Sequence, residues 1–352
     1  MNELLAAASA PDPGWPLWLS AVLSAAAAAA ITAFGILMTR TATRLAERTG
    51  LGQAVMGALF VGASTSLSEI VTSVTAAAGG HPNLAVSNAV GSIAGQTAFL
   101  AVADITYRKA NLEHAAASAA NLMLGAFLLA LLSIPLLAAA GPQVQILGVH
   151  PATALLIVAY VYGVRLVSRT HQAPMWHPRL TRETPRHREP TTTDPTPVAA
   201  LWARFALASV AVGFSGWILA EAGISISIRT GLSETVVGSL LTGLASSLPE
   251  LVTAVTAVRL GALTLAVGDV LGGNAFDIVI VGLADIAYRK GSIYGAIVRL
   301  DLFLVALSIL LTSILLMGLV RREKHGIANI GLESFLVLLF YLVAVVVLVI
   351  GQ

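Results

Sequence analysis

The sequence predicts an all-α polytopic membrane protein of about ten transmembrane helices, arranged as two inverted five-helix repeats, and three observations carry this expectation. The 352 residues are 57% hydrophobic and 11% charged, with a mean hydropathy of +0.86, far from the averages of soluble domains. Apolar runs long enough to cross about 30 Å of hydrocarbon follow one another along the chain. Finally, residues 62–109 recur at 243–290 with a constant offset of 181 and no gap, 21 of the 48 positions being identical.

The runs lie near 17–38, 51–78, 84–106, 114–139 and 146–167, then near 200–222, 232–258, 262–287, 293–319 and 332–350. This divides the chain into a first half at 1–168, with its repeat at 62–109, and a second half at 199–352, with its repeat at 243–290. Residues 1–16 carry no Lys or Arg, and two prolines precede the first run, so the basic flank of a signal peptide is missing and the first helix is expected to remain. An odd number of spans per half makes the second copy enter the membrane from the opposite side. With the N-terminus outside, sixteen Lys and Arg fall in inner loops and four in outer ones, as the positive-inside bias requires. The expected location is the plasma, or inner, membrane.

Residues 169–198 form the one long polar stretch, rich in Pro, Thr and Arg, and read as a cytoplasmic linker between the halves. Its His171, His177 and His187 match no metal-ligand spacing, and the chain has no cysteine to complete one. No Ser-His-Asp grouping, phosphate loop or cluster of histidines occurs in the apolar helices, so an enzyme is not expected. Nucleic acid is not an expected partner either. Inorganic cations and the lipid bilayer are, with no cofactor.

Each repeat buries one glutamate in apolar sequence, Glu69 and Glu250. An ionised group at mid-membrane costs several kcal/mol and marks a functional site unless it pairs structurally. Thr65 and Ser66 lie one helical turn before Glu69, and Ser246 and Ser247 lie one turn before Glu250. The next run adds a polar stripe at spacing four: Asn88, Ser92 and Gln96 in the first copy, Asp269, Gly273 and Asp277 in the second. Gly62, Gly91, Gly95, Gly243, Gly268, Gly272 and Gly273 crowd these stretches, and Pro249 precedes Glu250, so broken helices with freed carbonyls are expected. Hard oxygen ligands without sulfur or imidazole suit Na⁺, Ca²⁺ or H⁺. The competing reading of the hydroxyls is hydrogen bonding between membrane helices. Asp104 and Asp285 also repeat, each one turn before an Arg-Lys pair, and read as local ion pairs at the membrane interface.

The SLPE stretch with its preceding hydroxyl pair, followed some twenty residues later by the glycine- and amide-bearing stretch, resembles the alpha-repeat signature of sodium/calcium exchangers, in both copies. The resemblance implies a cation antiporter, with Glu69, Glu250 and Asp277 as metal-binding carboxylates. It further implies hydroxyl ligands at Thr65, Ser66, Ser246, Ser247 and Ser92, an amide at Gln96, and carbonyl oxygens at Gly62 and Gly243. Asp269 and Asn88 are candidates for a proton or accessory site. The chain departs from the pattern at Ser68, Ile93 and Gln96 in the first copy and at Gly273 and Asp269 in the second. The implied function is Na⁺/Ca²⁺ exchange by alternating access. The alternatives are cation/H⁺ exchange and a membrane ion sensor that does not transport.

Overall fold

A computed structural model describes residues 14–49, 66–106, 111–172, 196–259, 261, 263–322 and 331–351. Thr65 and Gly62 lie outside the described residues, as do Arg108, Lys109 and most of the linker. The described chain is helical, without a β-strand; Ile146 and Val149 form one isolated bridge.

The first half contains α1 (Leu17–Thr49), α2 (Leu67–Gly79), α3 (Pro82–Thr106), α4 (Leu112–Ala116), α5 (Ala119–Ala140) and α6 (Pro151–Gln172). The second contains α7 (Val198–Thr230), α8 (Glu234–Ser246), α9 (Leu248–Arg259), α10 (Leu263–Ala287), α11 (Ile293–Ala296), α12 (Arg299–Arg321) and α13 (Leu332–Ile350). Eight of these are long and apolar enough to span a membrane, and α8 with α9 forms a ninth span bent by 49°. The remaining expected span, 51–78, is described only from Ser66 onward.

The offset of 181 holds far beyond the repeated motif. Shifted by that amount, α1 coincides with α7 and α3 with α10 at both ends, while α5 overlays α12 and α6 overlays α13 to within three residues. The local reasons are shared chemistry. Proline opens α3 and α6 at the first helical position, where a missing N–H costs nothing. α2 stops at Gly80 and α7 at Gly231, both left-handed, with their N–H groups turned back onto carbonyls of the last turn.

Three predicted spans have long helices that start later than expected, while those at 17–38 and 200–222 run on to Thr49 and Thr230. The run at 114–139 begins as the short α4, and that at 293–319 as the short α11, each separated from its long helix by extended residues. The run at 146–167 starts at Pro151, because Leu147 and Gly148 adopt positive φ in a turn closed by the Ile146–Val149 bridge.

Asp104 and Asp285 explain this geometry; for Asp285 this corrects the reading as partner of its Arg-Lys pair, whereas the pair expected for Asp104, Arg108 and Lys109, lies outside the described residues. Asp285 accepts from Ile293 N at 2.9 Å, His150 N at 2.9 Å and Thr153 Oγ1 at 2.8 Å. Asp104 accepts from Leu112 N at 2.7 Å and Gly331 N at 3.3 Å, and from the Ser334 hydroxyl. Each partner of one is the partner of the other shifted by 181. Both carboxylates satisfy the N–H groups that a chain leaves open where a helix begins.

The most buried spans are α3 and α10, with 89% and 67% of their apolar windows enclosed, and they cross at the centre against α2, α8 and α9. α1 and α7 pack on each other at the side and reach the centre through two glycines. A Cβ on Gly35 would stand 2.8 Å from Pro249 Cγ, and one on its repeat mate Gly216 would stand 2.7 Å from Ser68 O. Only glycine lets these helices lie flush against the residues that precede the two glutamates.

Candidate functional site

Among the described residues the helix break falls on Ser247 rather than on a glycine, and Ser66, where description of its copy begins, shares its geometry. Ser66 (φ −85°, ψ 9°) and Ser247 (φ −93°, ψ 6°) are repeat mates with nearly the same non-helical backbone, and each precedes the helix that carries its glutamate. Pro249 reinforces the second break because it has no N–H to continue the ladder. Gly243 is helical, and Gly91, Gly95, Gly268, Gly272 and Gly273 lie inside the unbroken α3 and α10. Before the second break, residues Val237–Thr242 make one π-helical turn, a feature often found beside functional sites.

The hydroxyls cross between repeats instead of serving the glutamate on their own helix. Ser247 Oγ lies 2.5 Å from Glu69 Oε1 and 2.9 Å from the Gly243 carbonyl. Ser66 Oγ donates to Asp277 Oδ1 at 2.5 Å. Gln96 Nε2 lies 2.9 Å from Asp277 Oδ2 and 3.3 Å from both Glu69 Oε1 and Ser247 Oγ. The contact of Ser66 with Asp277 and that of Ser247 with Gln96 are the same contact under the offset. All five side chains are buried.

The remaining expected residues divide into two groups. Asn88 Nδ2 donates to Ser73 Oγ at 3.0 Å and to the Glu69 carbonyl at 3.4 Å, bracing α3 against α2. Ser92 and Ser246 are buried and donate within their own helices, to Ala89 O and Gly243 O. The Gly243 carbonyl therefore already faces two hydroxyls and the Ser247 N–H. Asp269 is exposed on α10 and stands apart from the hydrogen-bonded cluster.

Two further residues were not among the site residues expected from the sequence, Ser68 having been noted only as a departure from the family pattern. Ser68, at the position of Pro249, donates to the Ser246 carbonyl at 3.3 Å and so ties the two breaks together. Asn274 donates from Nδ2 to Thr97 Oγ1 at 3.1 Å across the α10–α3 contact. The signal for Asn274 was its place between Gly273 and Asp277, one turn before the carboxylate.

Several buried oxygens here have no donor: Glu69 Oε2, Gln96 Oε1, Asn274 Oδ1, and both Oε1 and Oε2 of Glu250. Glu250 lies within direct charge interaction of Glu69, Asp277 and Asp269, without hydrogen bonds to them. Among the described residues no three acidic or imidazole side chains close around one point. Buried acceptors without donors, some carrying charge, are costly unless a cation or proton satisfies them. The donor set, carboxylate, amide and hydroxyl oxygen alone, is that of hard cations.

The sequence matches the sodium/calcium exchanger protein family over residues 19–168 and 200–350. The chain belongs to that family. Its members are membrane exchangers, not enzymes. Among relatives, CaxA of Alkalimonas amylolytica is 29% identical over 309 residues, 84% of this chain and 89% of that protein. The sodium/calcium exchanger MaX1 of Methanosarcina acetivorans is 29% identical over 137 residues, 38% of this chain and 39% of its own. Of solved structures, the sodium-calcium exchanger NCX_Mj superposes with a TM-score of 0.58 at 17% identity, covering 94% of this chain and 99% of the other. Native YfkE superposes with a TM-score of 0.62 at 16% identity, covering 96% and 93%. These likenesses establish the fold, an integral membrane protein of two inverted repeats, and the coarse activity of a cation/calcium antiporter.

Proposed function

We propose that this chain exchanges Na⁺ for Ca²⁺ by alternating access at one site shared by the two repeats. The observation that carries the reading is the set of buried, donorless oxygens on Glu69, Gln96 and Glu250 where the two helix breaks meet. Glu69, Glu250 and Asp277 supply the charge for a divalent ion or for competing monovalent ones. Ser66, Ser92, Ser246, Ser247, Thr65 and Gln96 supply neutral oxygens. The Gly62 and Gly243 carbonyls complete the set, that of Gly243 once its two hydroxyl donors turn away. Likeness to MaX1, a protein named for Na⁺/Ca²⁺ exchange, supports Na⁺ as the counter-ion.

Because bare carboxylates resist transfer through hydrocarbon, loaded states switch freely and unloaded ones do not, which converts competition into exchange. Each ion biases the inward and outward forms only through its different affinity for the two. The halves, 1–168 and 199–352, form the two repeats, joined by a cytoplasmic linker at 169–198, with the N-terminus outside and the protein in the plasma (inner) membrane.

A second reading, cation/H⁺ exchange, is favoured by one observation: Asp269 is an exposed acid on α10 within charge interaction of Glu250. The two are separated by Ca²⁺ uptake into proteoliposomes loaded with Na⁺, set against vesicles holding only a pH gradient. Uptake driven by outward Na⁺ and lost in Glu250→Gln supports the first reading. Uptake that follows the pH gradient alone, and falls in Asp269→Asn, supports the second.

A further inference from the structure

Within the cluster, Gln96 is the one side chain placed as an amide donor. Its Nε2 sits between Asp277 Oδ2 at 2.9 Å and Glu69 Oε1 at 3.3 Å, one carboxylate from each repeat, and also 3.3 Å from Ser247 Oγ. The surroundings fix which end is nitrogen, because exchanging the two would press Oε1 against two carboxylate oxygens. The amide hydrogens thus occupy the face of those carboxylates that a bridging cation would use.

The opposite end of the amide has different surroundings. Gln96 Oε1 is buried without a donor and lies 3.6 Å from where a Cβ on Gly273 would stand. Gly273 is the repeat mate of Ser92, and Gln96 the mate of Asp277. Two departures from the family pattern, a long amide and a missing hydroxyl, therefore meet at one point. Space beside Gly273 accommodates the end of the longer side chain.

Resting on the exchange reading above, we infer that Gln96 is a tethered hydrogen-bond donor that competes with the transported cation for the two carboxylates. Its NH₂ group holds Glu69 and Asp277 together in the ion-free carrier. Binding requires the amide to turn about its last bond, withdrawing both N–H groups and presenting Oε1 as a ligand. The residue therefore sets the affinity threshold of the site, and Gly273 leaves the turn unobstructed.

An asparagine has the same chemistry but ends about 1.5 Å short, so it cannot span both carboxylates. Conversely, a serine at 273 places a hydroxyl donor on Oε1 and holds the amide as a donor to the carboxylates. The test is Ca²⁺ binding by calorimetry, together with Na⁺-driven uptake, on purified wild type, Gln96→Asn, Gly273→Ser and the double variant, each checked for a monodisperse size-exclusion peak. Gln96→Asn is expected to bind Ca²⁺ about tenfold more tightly, the worth of one charge-assisted hydrogen bond. Gly273→Ser is expected to bind about tenfold more weakly, and the double variant to follow Gln96→Asn. Weaker binding in Gln96→Asn, or no change in either single variant, makes Gln96 an ordinary oxygen ligand and overturns the inference. Failure of the wild type to bind or exchange any cation overturns the exchange reading itself, and is read without any substitution.

Discussion

Ser247 of the second repeat approaches Glu69 of the first at 2.5 Å, although its own helix carries Glu250. The hydroxyl of one helix break thereby serves the carboxylate of the other. This exchange makes the two halves mutually dependent at their contact. A hydrogen bond to a charged group is worth about 1.5–3 kcal/mol. Ser247→Ala removes with that bond an oxygen proposed to turn to the cation, and is predicted to lower Ca²⁺ uptake at subsaturating Ca²⁺ by about tenfold or more. Ser246→Ala, whose hydroxyl reaches only the Gly243 carbonyl, is predicted to have a markedly smaller effect. Side-by-side initial rates of the two variants check this.

Asp104 and Asp285 are predicted to be structural. Asp285→Ala leaves two buried N–H groups and the Thr153 hydroxyl without their acceptor, at a cost of about 3 kcal/mol or more. Asp104→Ala should act alike, given the equivalent partners. Thermal unfolding in detergent should show both variants destabilised. Ca²⁺ affinity of the folded fraction should stay within about twofold of wild type, since neither carboxylate touches the site.

The flush contacts of α1 and α7 predict a graded pair of effects. Gly216→Ala drives a methyl against the Ser68 backbone carbonyl, whereas Gly35→Ala meets the ring of Pro249. Overpacking of this kind costs about 1–3 kcal/mol. Both variants should lose thermal stability, Gly216→Ala the more, because a backbone atom gives way less readily than a ring carbon.

Much of the fold was legible because the two copies match without a gap, so span positions in one half checked those in the other. Inversion followed from the odd count and the arginine distribution. The short helices α4 and α11 were hidden because their apolar residues continue the runs of α5 and α12. Most partners of Asp104 and Asp285 were hidden because Gly331 and Ser334, like His150 and Thr153, lie far from them along the chain. Nearby Arg-Lys pairs offered a more obvious local explanation, which was wrong for Asp285. At the site, helical spacing picked out Glu69, Gln96 and Asp277, which the structure brings together. It grouped Ser66 with Glu69 and Ser247 with Glu250, whereas each hydroxyl bonds a carboxylate of the other repeat, because spacing on one helix does not reveal contacts between the repeats. Asp269 shares a stripe with Asp277 in sequence, yet the step of eight positions between them advances the helix by more than two turns and leaves it exposed.

The proposed orientation is tested with labels, because the chain contains no cysteine. Gln145→Cys, on the exposed loop between α5 and α6, should react with an impermeant maleimide added outside intact cells. Thr192→Cys, in the linker, should react only after the membrane is opened. The reverse pattern would place the N-terminus inside.

The most direct measurement of a single site shared by both repeats is the stoichiometry of Ca²⁺ binding by calorimetry in wild type, Glu69→Gln and Glu250→Gln. A shared site predicts one class of binding in the wild type that either substitution alone abolishes or weakens by at least about a hundredfold, with Na⁺ competing in the wild type. If each variant instead keeps binding of near wild-type affinity at half the original stoichiometry, the two glutamates belong to separate sites and a shared mid-membrane site is contradicted.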